Sequence, residues 1–141
     1  MNFPQMFYLT VYIYMDATLY KADGTIQTIT PENGKDFQLA ELYELLGSEI
    51  RMIEVIQTGD PAMIFIGDES ARLHDDVCIN REATRIFREG NDIPNDPKGV
   101  RVYFNEVMEE MGDSLIFCGD RDEEPYTIVG TVIYCPSVML K

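Results

Sequence analysis

The chain has 141 residues, of which 45% are hydrophobic and 26% are charged, and its 25 acidic and 11 basic residues give a net charge of −14. These values are typical of a single globular domain over residues 1–141 and exclude an intrinsically disordered tail. Because a strongly negative protein repels phosphates and anionic lipids, we expect a protein partner and neither nucleic acid nor a membrane.

The sequence predicts a cytoplasmic protein. No apolar run approaches the roughly 18 residues that a membrane span needs. The N-terminal residues Met1–Gln5 carry none of the positive side chains that begin a signal peptide.

The first two elements are predicted as strands. Residues Phe7–Met15 alternate between apolar side chains and a second face that carries three tyrosines, which indicates a long strand. That tyrosine face is a candidate homodimer seam, since tyrosine is enriched at interfaces, or else it lies under a helix. Thr25–Ile29 follows the turn residues Asp23 and Gly24, so Leu19–Ile29 predicts a hairpin.

Leucines at helical spacing between Phe37 and Leu46 predict the first helix, with Asp36 as its N-cap and Gly47 as a left-handed C-cap. The next two segments are apolar on both faces, which is typical of buried strands. They are Ile50–Ile56 and Ala62–Ile66. We expect both at the centre of the sheet.

Two further helices follow. Asn80 is a predicted N-cap for a helix over Arg81–Glu89 that is ended by Gly90. Asp96 and Pro97 are typical of a helix start, and apolar residues then recur at helical spacing as far as Met111. The five residues from Val100 to Phe104 fit a strand equally well.

The C-terminal part predicts two strands, Ser114–Cys118 and Thr127–Cys135, joined by an acidic link. Together the elements predict an α+β fold, with a mixed, mostly antiparallel sheet and about three helices packed on it. The three cysteines lack the spacing of zinc sites and each lies in apolar sequence, so we expect buried reduced thiols and no metal site. They are Cys78, Cys118 and Cys135.

The predicted site is a stripe of arginines. At 100° per residue, Arg81, Arg85 and Arg88 fall within about 60° of one another on their helix, opposite an apolar face. Guanidinium groups bind carboxylates and phosphates in a bidentate manner, so the stripe, with nearby Arg101 and Tyr103, is a candidate site for an acidic patch of a partner or a small anionic ligand. Alternatively, these arginines pair with carboxylates of the chain itself.

Catalytic equipment is not apparent in the sequence. There is no nucleophile elbow, Walker A motif or dinucleotide fingerprint, so we expect no enzyme, no catalytic residue and no cofactor. A cluster of acidic residues invites the alternative of a metal-dependent hydrolase, but it lacks calcium-loop spacing and is more typical of a solvated face. Its members are Glu106, Glu109, Glu110 and Asp113.

Several segments resemble the family called domain of unknown function 3846, which occurs in bacteria and is frequently carried by phages and other mobile elements. The similar parts are Leu42–Gly47 with the strand after it, Ala62–Ile66, Asn80–Thr84 and Thr127–Val132. The resemblance implies a phage or mobile-element origin and no particular activity.

We therefore hypothesise a small acidic binding protein without enzymatic activity. It would bind or inhibit a host protein, as an anti-defence protein or a mimic of a nucleic acid backbone. The alternatives are a sponge or sensor for a nucleotide and, least favoured, the metal-dependent hydrolase.

Overall fold

The computed structural model describes residues 16–47, 52–73, 78–111 and 124–140. These ranges contain five strands and three helices. The strands are β1 (Ala17–Tyr20), β2 (Ile26–Ile29), β3 (Ile53–Gln57), β4 (Met63–Asp68) and β5 (Val132–Pro136). The helices are α1 (Leu39–Leu46), α2 (Arg81–Gly90) and α3 (Pro97–Met111). The predicted α+β class is confirmed.

The five strands form one sheet in the order β2-β1-β5-β4-β3, and all four pairings are antiparallel. The hairpin of β1 and β2 is confirmed, and Gly24 in its turn has a φ of 93°, which glycine adopts without steric cost. The C-terminal strand β5 lies between β1 and β4, so it joins the hairpin to the β3–β4 pair.

Among the described strands, β4 lies inside the sheet as expected, whereas β3 does not. β4 pairs on both sides, and its residues Ile64, Phe65 and Ile66 are buried. In the order of these strands β3 lies at one end, opposite β2, and its Val55 is 42% exposed. The apolar run arises because Ile53 and Ile56 each reach a different core cluster, one on either face.

Each face of the sheet has its own core. On one face, Leu42 and Leu46 of α1 pack with Ile64, Ile66 and Ile133. On the other, Ala83 of α2 packs with Phe65 and Val132, with Phe87 against them. Successive residues of β4 and β5 alternate between the two clusters, as expected for a sheet covered on both sides.

The predicted third helix is confirmed, and the alternative of a strand over Val100–Phe104 is wrong. These residues lie inside α3, where Val100 and Phe104 are buried. The Phe104 ring lies 6.1 Å from that of Tyr126, edge to face. None of the helices in the described ranges is both long enough and apolar enough to cross a membrane.

The predicted N-cap of α1 is wrong, and the predicted C-cap is the right residue in a different conformation. Gln38 is the N-cap, and Asp36 is buried and accepts hydrogen bonds from Asn33 Nδ2 (2.8 Å) and Gln38 Nε2 (3.0 Å). The Glu41 carboxylate accepts from the Gln38 backbone N–H at 3.2 Å. Gly47 does end the helix, but its φ of 133° and ψ of 143° lie outside the left-handed helical region.

The last predicted strand begins later than expected, since only Val132–Pro136 is a strand. The predicted strands Phe7–Met15, with its tyrosine face, and Ser114–Cys118 lie outside the described residues. The expectation of buried thiols is confirmed for Cys135, wrong for the exposed Cys78, and for Cys118 falls outside those residues. Burial raises the pKa of Cys135 to about 12.

Candidate functional site

The helix α2 presents a buried row of polar side chains to the segment that precedes β5. Asn80, Thr84 and Arg88 are four residues apart, so they lie on one face of the helix, and all three are buried. Each of the three forms hydrogen bonds with residues 124–130, which we call the strap. Polar groups can be buried at low cost only when they are hydrogen-bonded, and each member of this row is.

Asn80 joins three parts of the fold. Its Oδ1 accepts from the Ala83 N–H at the start of α2, as the predicted N-cap requires. Its Nδ2 donates to the carbonyl oxygens of Tyr20 (2.9 Å) and Gly130 (2.8 Å). The hairpin, the helix and the strap are therefore held at one side chain.

The Thr84 hydroxyl forms hydrogen bonds with the backbone of the strap. The Ile128 N–H donates to the Thr84 hydroxyl at 2.9 Å, and the hydroxyl donates to the Ile128 carbonyl at 3.3 Å. The Asn80 N–H donates to the same carbonyl at 2.8 Å, so both backbone groups of Ile128 are satisfied outside the sheet. The strap also pairs with residues 78–80 at an isolated antiparallel bridge between Ile79 and Val129, and the strand of the sheet starts only at Val132.

Arg88 is 1% exposed and all of its N–H groups are engaged. Nε donates to the Tyr126 carbonyl at 3.1 Å, and Nη1 donates to the carbonyl and side-chain oxygens of Asn95 at 3.2 and 3.4 Å. Nη2 donates to Glu124 Oε1 and the Pro125 carbonyl, both at 2.9 Å. Since a guanidinium carries five N–H donors, Arg88 keeps none for a ligand.

Arg81 shares Glu124 with Arg88. Its Nη1 donates to both Glu124 oxygens at 2.9 and 3.0 Å, although its side chain is 67% exposed. Burial alone would raise the pKa of Glu124, but the hydrogen bonds from Arg88 and Arg81 outweigh burial and hold that pKa below its usual value. Glu124 therefore stays ionised and fixes the start of the strap.

Arg85 pairs within its own helix, with Glu82 one turn earlier and with Glu89 one turn later at 3.0 Å. These hydrogen bonds, first from Glu82 and then from Glu89, raise its pKa above the ordinary arginine value. All three arginines of the predicted stripe thus contact carboxylates of the chain itself, which was the alternative interpretation of the sequence.

The other two predicted residues lie on α3. The Arg101 guanidinium carbon is 5.5 Å from the centre of the Phe104 ring, within the range of a cation–π contact. The Tyr103 ring lies 5.5 Å from that of Tyr126, edge to face. Tyr126 thereby connects α3 to the carbonyl that Arg88 binds. Three of the five predicted residues, Arg81, Arg88 and Tyr103, contact the strap. The role of all five in partner binding stays a prediction.

Sequence reasoning missed a groove on the α2 face of the sheet, with a volume of about 350 Å³. We call it the Glu54 groove. It is lined by β3, β4, the turn after β4, the strap and β5. The lining residues are Glu54, Ile56, Gly67, Asp68, Glu69, Ala71, Arg72, Thr127, Ile128, Val129 and Val132.

The groove is acidic. Burial raises the pKa of Glu54, the charges of Glu69 and Asp68 raise it further, and the charge of Arg72 opposes them. Arg72 is anchored at the rim, where its Nη2 donates to the Thr127 hydroxyl at 2.8 Å and to the Thr127 carbonyl. A signal was present in the sequence, because Glu54 is a carboxylate within the apolar run from Met52 to Ile56.

Comparisons with protein-family models, curated proteins and solved structures returned no match. The resemblance to domain of unknown function 3846 accordingly stays a prediction. Among the described residues, no group of three or more histidine, cysteine or acidic side chains is arranged to hold a metal ion.

Proposed function

We propose that this chain is a binding protein without enzymatic activity, and that its acidic surface captures a basic protein. The setting that fits the family resemblance is a phage or mobile element, in which the partner is a host protein in the cytoplasm. Inhibition of that host protein is the anti-defence role that the sequence favours.

The proposal rests mainly on the excess of exposed acidic residues over exposed basic ones. In the described ranges twelve acidic residues are exposed, against four basic ones. The acidic ones are Asp16, Asp23, Glu32, Glu44, Asp60, Glu69, Glu89, Asp92, Asp96, Glu106, Glu109 and Glu110, and the basic ones are Lys35, Arg72, Arg81 and Lys98. Such a surface steers cationic proteins toward it and repels anionic ones.

The arginines support the same conclusion. Arg88 has no donor left, Arg85 contacts two carboxylates, and Arg81 shares a third. Because the positive groups of α2 are already neutralised within the fold, they add little to the attraction of an anionic ligand. The outer face of α3 instead presents Val102 and three exposed glutamates to solvent.

Capture from a bacterial lysate tests the proposal. We expect the immobilised chain to retain a basic protein whose yield, measured by quantitative mass spectrometry, falls as salt is raised, because screening weakens exposed charge pairs. We expect Glu106→Gln with Glu109→Gln to lower the yield further than Glu32→Gln with Glu44→Gln, since both variants lose two charges but only the first lies on α3.

Two results would contradict the proposal. One is the repeated absence of any retained protein. The other is a retained protein that is acidic and whose yield does not change with salt.

A further inference from the structure

The Glu54 groove combines a carboxylate with an apolar floor and walls. Gly67 lies opposite Glu54 in the β3–β4 register and contributes no side chain. A Cβ at Gly67 would approach Val132 Cγ1 to 3.0 Å, so the Val132 side chain packs directly against the Gly67 backbone and forms the floor of the groove. Ile56, Ile128 and Val129 supply apolar contact around this space.

Glu54 is half-buried in the groove, and none of the described residues donates a hydrogen bond to its carboxylate. The carboxylates of Glu69 and Asp68 add negative charge around Glu54, and the single positive charge of Arg72 opposes them. Asp68 Oδ1 already accepts from the backbone and hydroxyl of Ser70, and Arg72 donates to Thr127. A half-buried carboxylate in a negative field is stabilised by an incoming cation.

We propose that the Glu54 groove receives a lysine side chain of the basic partner, with the ammonium at Glu54 and Glu69 and the methylene stem against the apolar wall. This inference rests on the proposed function and names the contact that would anchor it. A lysine matches both halves of the groove, because its long stem packs on apolar surface while its compact ammonium carries three donors. The volume of about 350 Å³ is at the small end of ligand cavities, which fits one side chain.

The groove can be tested without the partner. N-acetyl-lysine-N-methylamide is titrated into the ¹⁵N-labelled chain, with N-acetyl-norleucine-N-methylamide as the uncharged analogue of nearly the same length. We expect the lysine probe alone to shift the backbone amide signals of Gly67, Val129 and Val132. Equal shifts with both probes, or shifts confined to the separate groove near Gln27 and Glu44, would overturn the proposal.

Two variants with the same charge change separate the groove from the general acidity. We expect Glu54→Gln to weaken binding of the lysine probe by about tenfold, because it removes one member of a partly desolvated charge pair. Glu32→Gln, at an exposed residue outside both α3 and the Glu54 groove, is expected to leave binding unchanged. Equal losses of affinity in the two variants would show that net charge alone attracts the probe and would overturn the proposal that the groove binds it.

The pH dependence gives an independent readout. Glu54 must be ionised to bind an ammonium, so we expect the affinity for the lysine probe to fall as the pH is lowered through the raised pKa of Glu54. Asp68, Glu69 and Arg72 face the same space, and the Glu54→Gln variant isolates the contribution of Glu54. A pH profile that is the same in Glu54→Gln and the wild type would contradict the assignment.

The lysate and titration experiments fail independently. A basic protein retained from lysate, together with no binding of the lysine probe at the groove, would leave the proposed function standing and remove this inference. Binding of the probe at the groove with no protein retained would contradict the proposed function and leave only the affinity of the groove for a lysine side chain.

Discussion

At the scale of single residues, Arg88 shows how a charged side chain can be a core residue. It is as buried as the isoleucines of β4, yet each of its N–H groups meets an oxygen of Asn95, Glu124, Pro125 or Tyr126. Four of these bonds end on carbonyl or carboxylate oxygens that are fixed by the fold. Losing the guanidinium would therefore leave several buried acceptors without donors.

We expect Arg88→Ala to lower the free energy of unfolding by about 3–5 kcal/mol, as found when one partner of a buried ion pair is removed. Arg81→Ala removes the same type of side chain from the same carboxylate, but its pair is largely exposed and should contribute at most about 1 kcal/mol. Urea denaturation followed by circular dichroism measures both. Similar losses in the two variants would contradict the role assigned to Arg88.

At the scale of elements, α2 is docked through backbone contact as well as through its polar row. The Gly90 carbonyl at its C-terminus lies so close to Gly59, in the β3–β4 turn, that a Cβ on Gly59 would be 1.9 Å from the oxygen. A Cβ on Gly90 would likewise meet the Thr58 carbonyl at 1.9 Å. Only glycine at both positions allows the helix end to touch the turn.

Gly59→Ala and Gly24→Ala separate this contact from backbone strain. Both glycines have positive φ, 89° and 93°, but a Cβ on Gly24 would meet nothing within 4 Å. We expect Gly24→Ala to cost about 1–2 kcal/mol from its conformation alone, and Gly59→Ala to cost clearly more because α2 must move off the turn. Thermal or urea unfolding measures the loss of stability in each variant. Equal losses would show that the close approach of Gly59 and Gly90 does not hold the helix.

At the scale of the whole molecule, acid should destabilise the fold through the strap. The folded-state pKa of Glu124 lies below its unfolded value, so its contribution to stability is present above that unfolded value and is lost as the pH falls through the folded one. Glu54 has the opposite effect. Because its pKa is raised in the folded state, protonation of its carboxylate stabilises the folded state relative to the unfolded one. The two effects have opposite signs and are separable by mutation.

We expect the free energy of unfolding of the wild type to fall below about pH 4.3, the ordinary glutamate value. In Glu124→Gln it should be lower at neutral pH and should change less over the acidic range, because the titrating group is gone. Glu54→Gln should not lower stability at neutral pH. Urea titrations from pH 3 to 7 measure this, and an unchanged acid profile in Glu124→Gln would contradict the assignment.

The helix α2 shows which features of the fold can be predicted from the sequence and which cannot. Asn80 as N-cap and the end at Gly90 follow from local chemistry, and the helix is where the pattern predicts it. The sequence shows equally that Asn80, Thr84 and Arg88 share a face, but not that this face is buried. That depends on the strap, about 40 residues later in the chain, whose carbonyls turn Arg88 from a surface cation into a core residue.

The sequence by itself determined the local elements: the hairpin at Gly24, the three helices, the apolar strand β4 and the α+β class, because periodicity, caps and turn residues act within a few positions. The tertiary structure decided the rest. It placed β5 between β1 and β4, put β3 at the edge of the described sheet, neutralised the arginine stripe, and brought Glu54, Glu69 and Arg72 around one groove. These outcomes depend on contacts between residues far apart in the chain. A local sequence pattern does not specify which distant carbonyl or carboxylate will contact a given side chain.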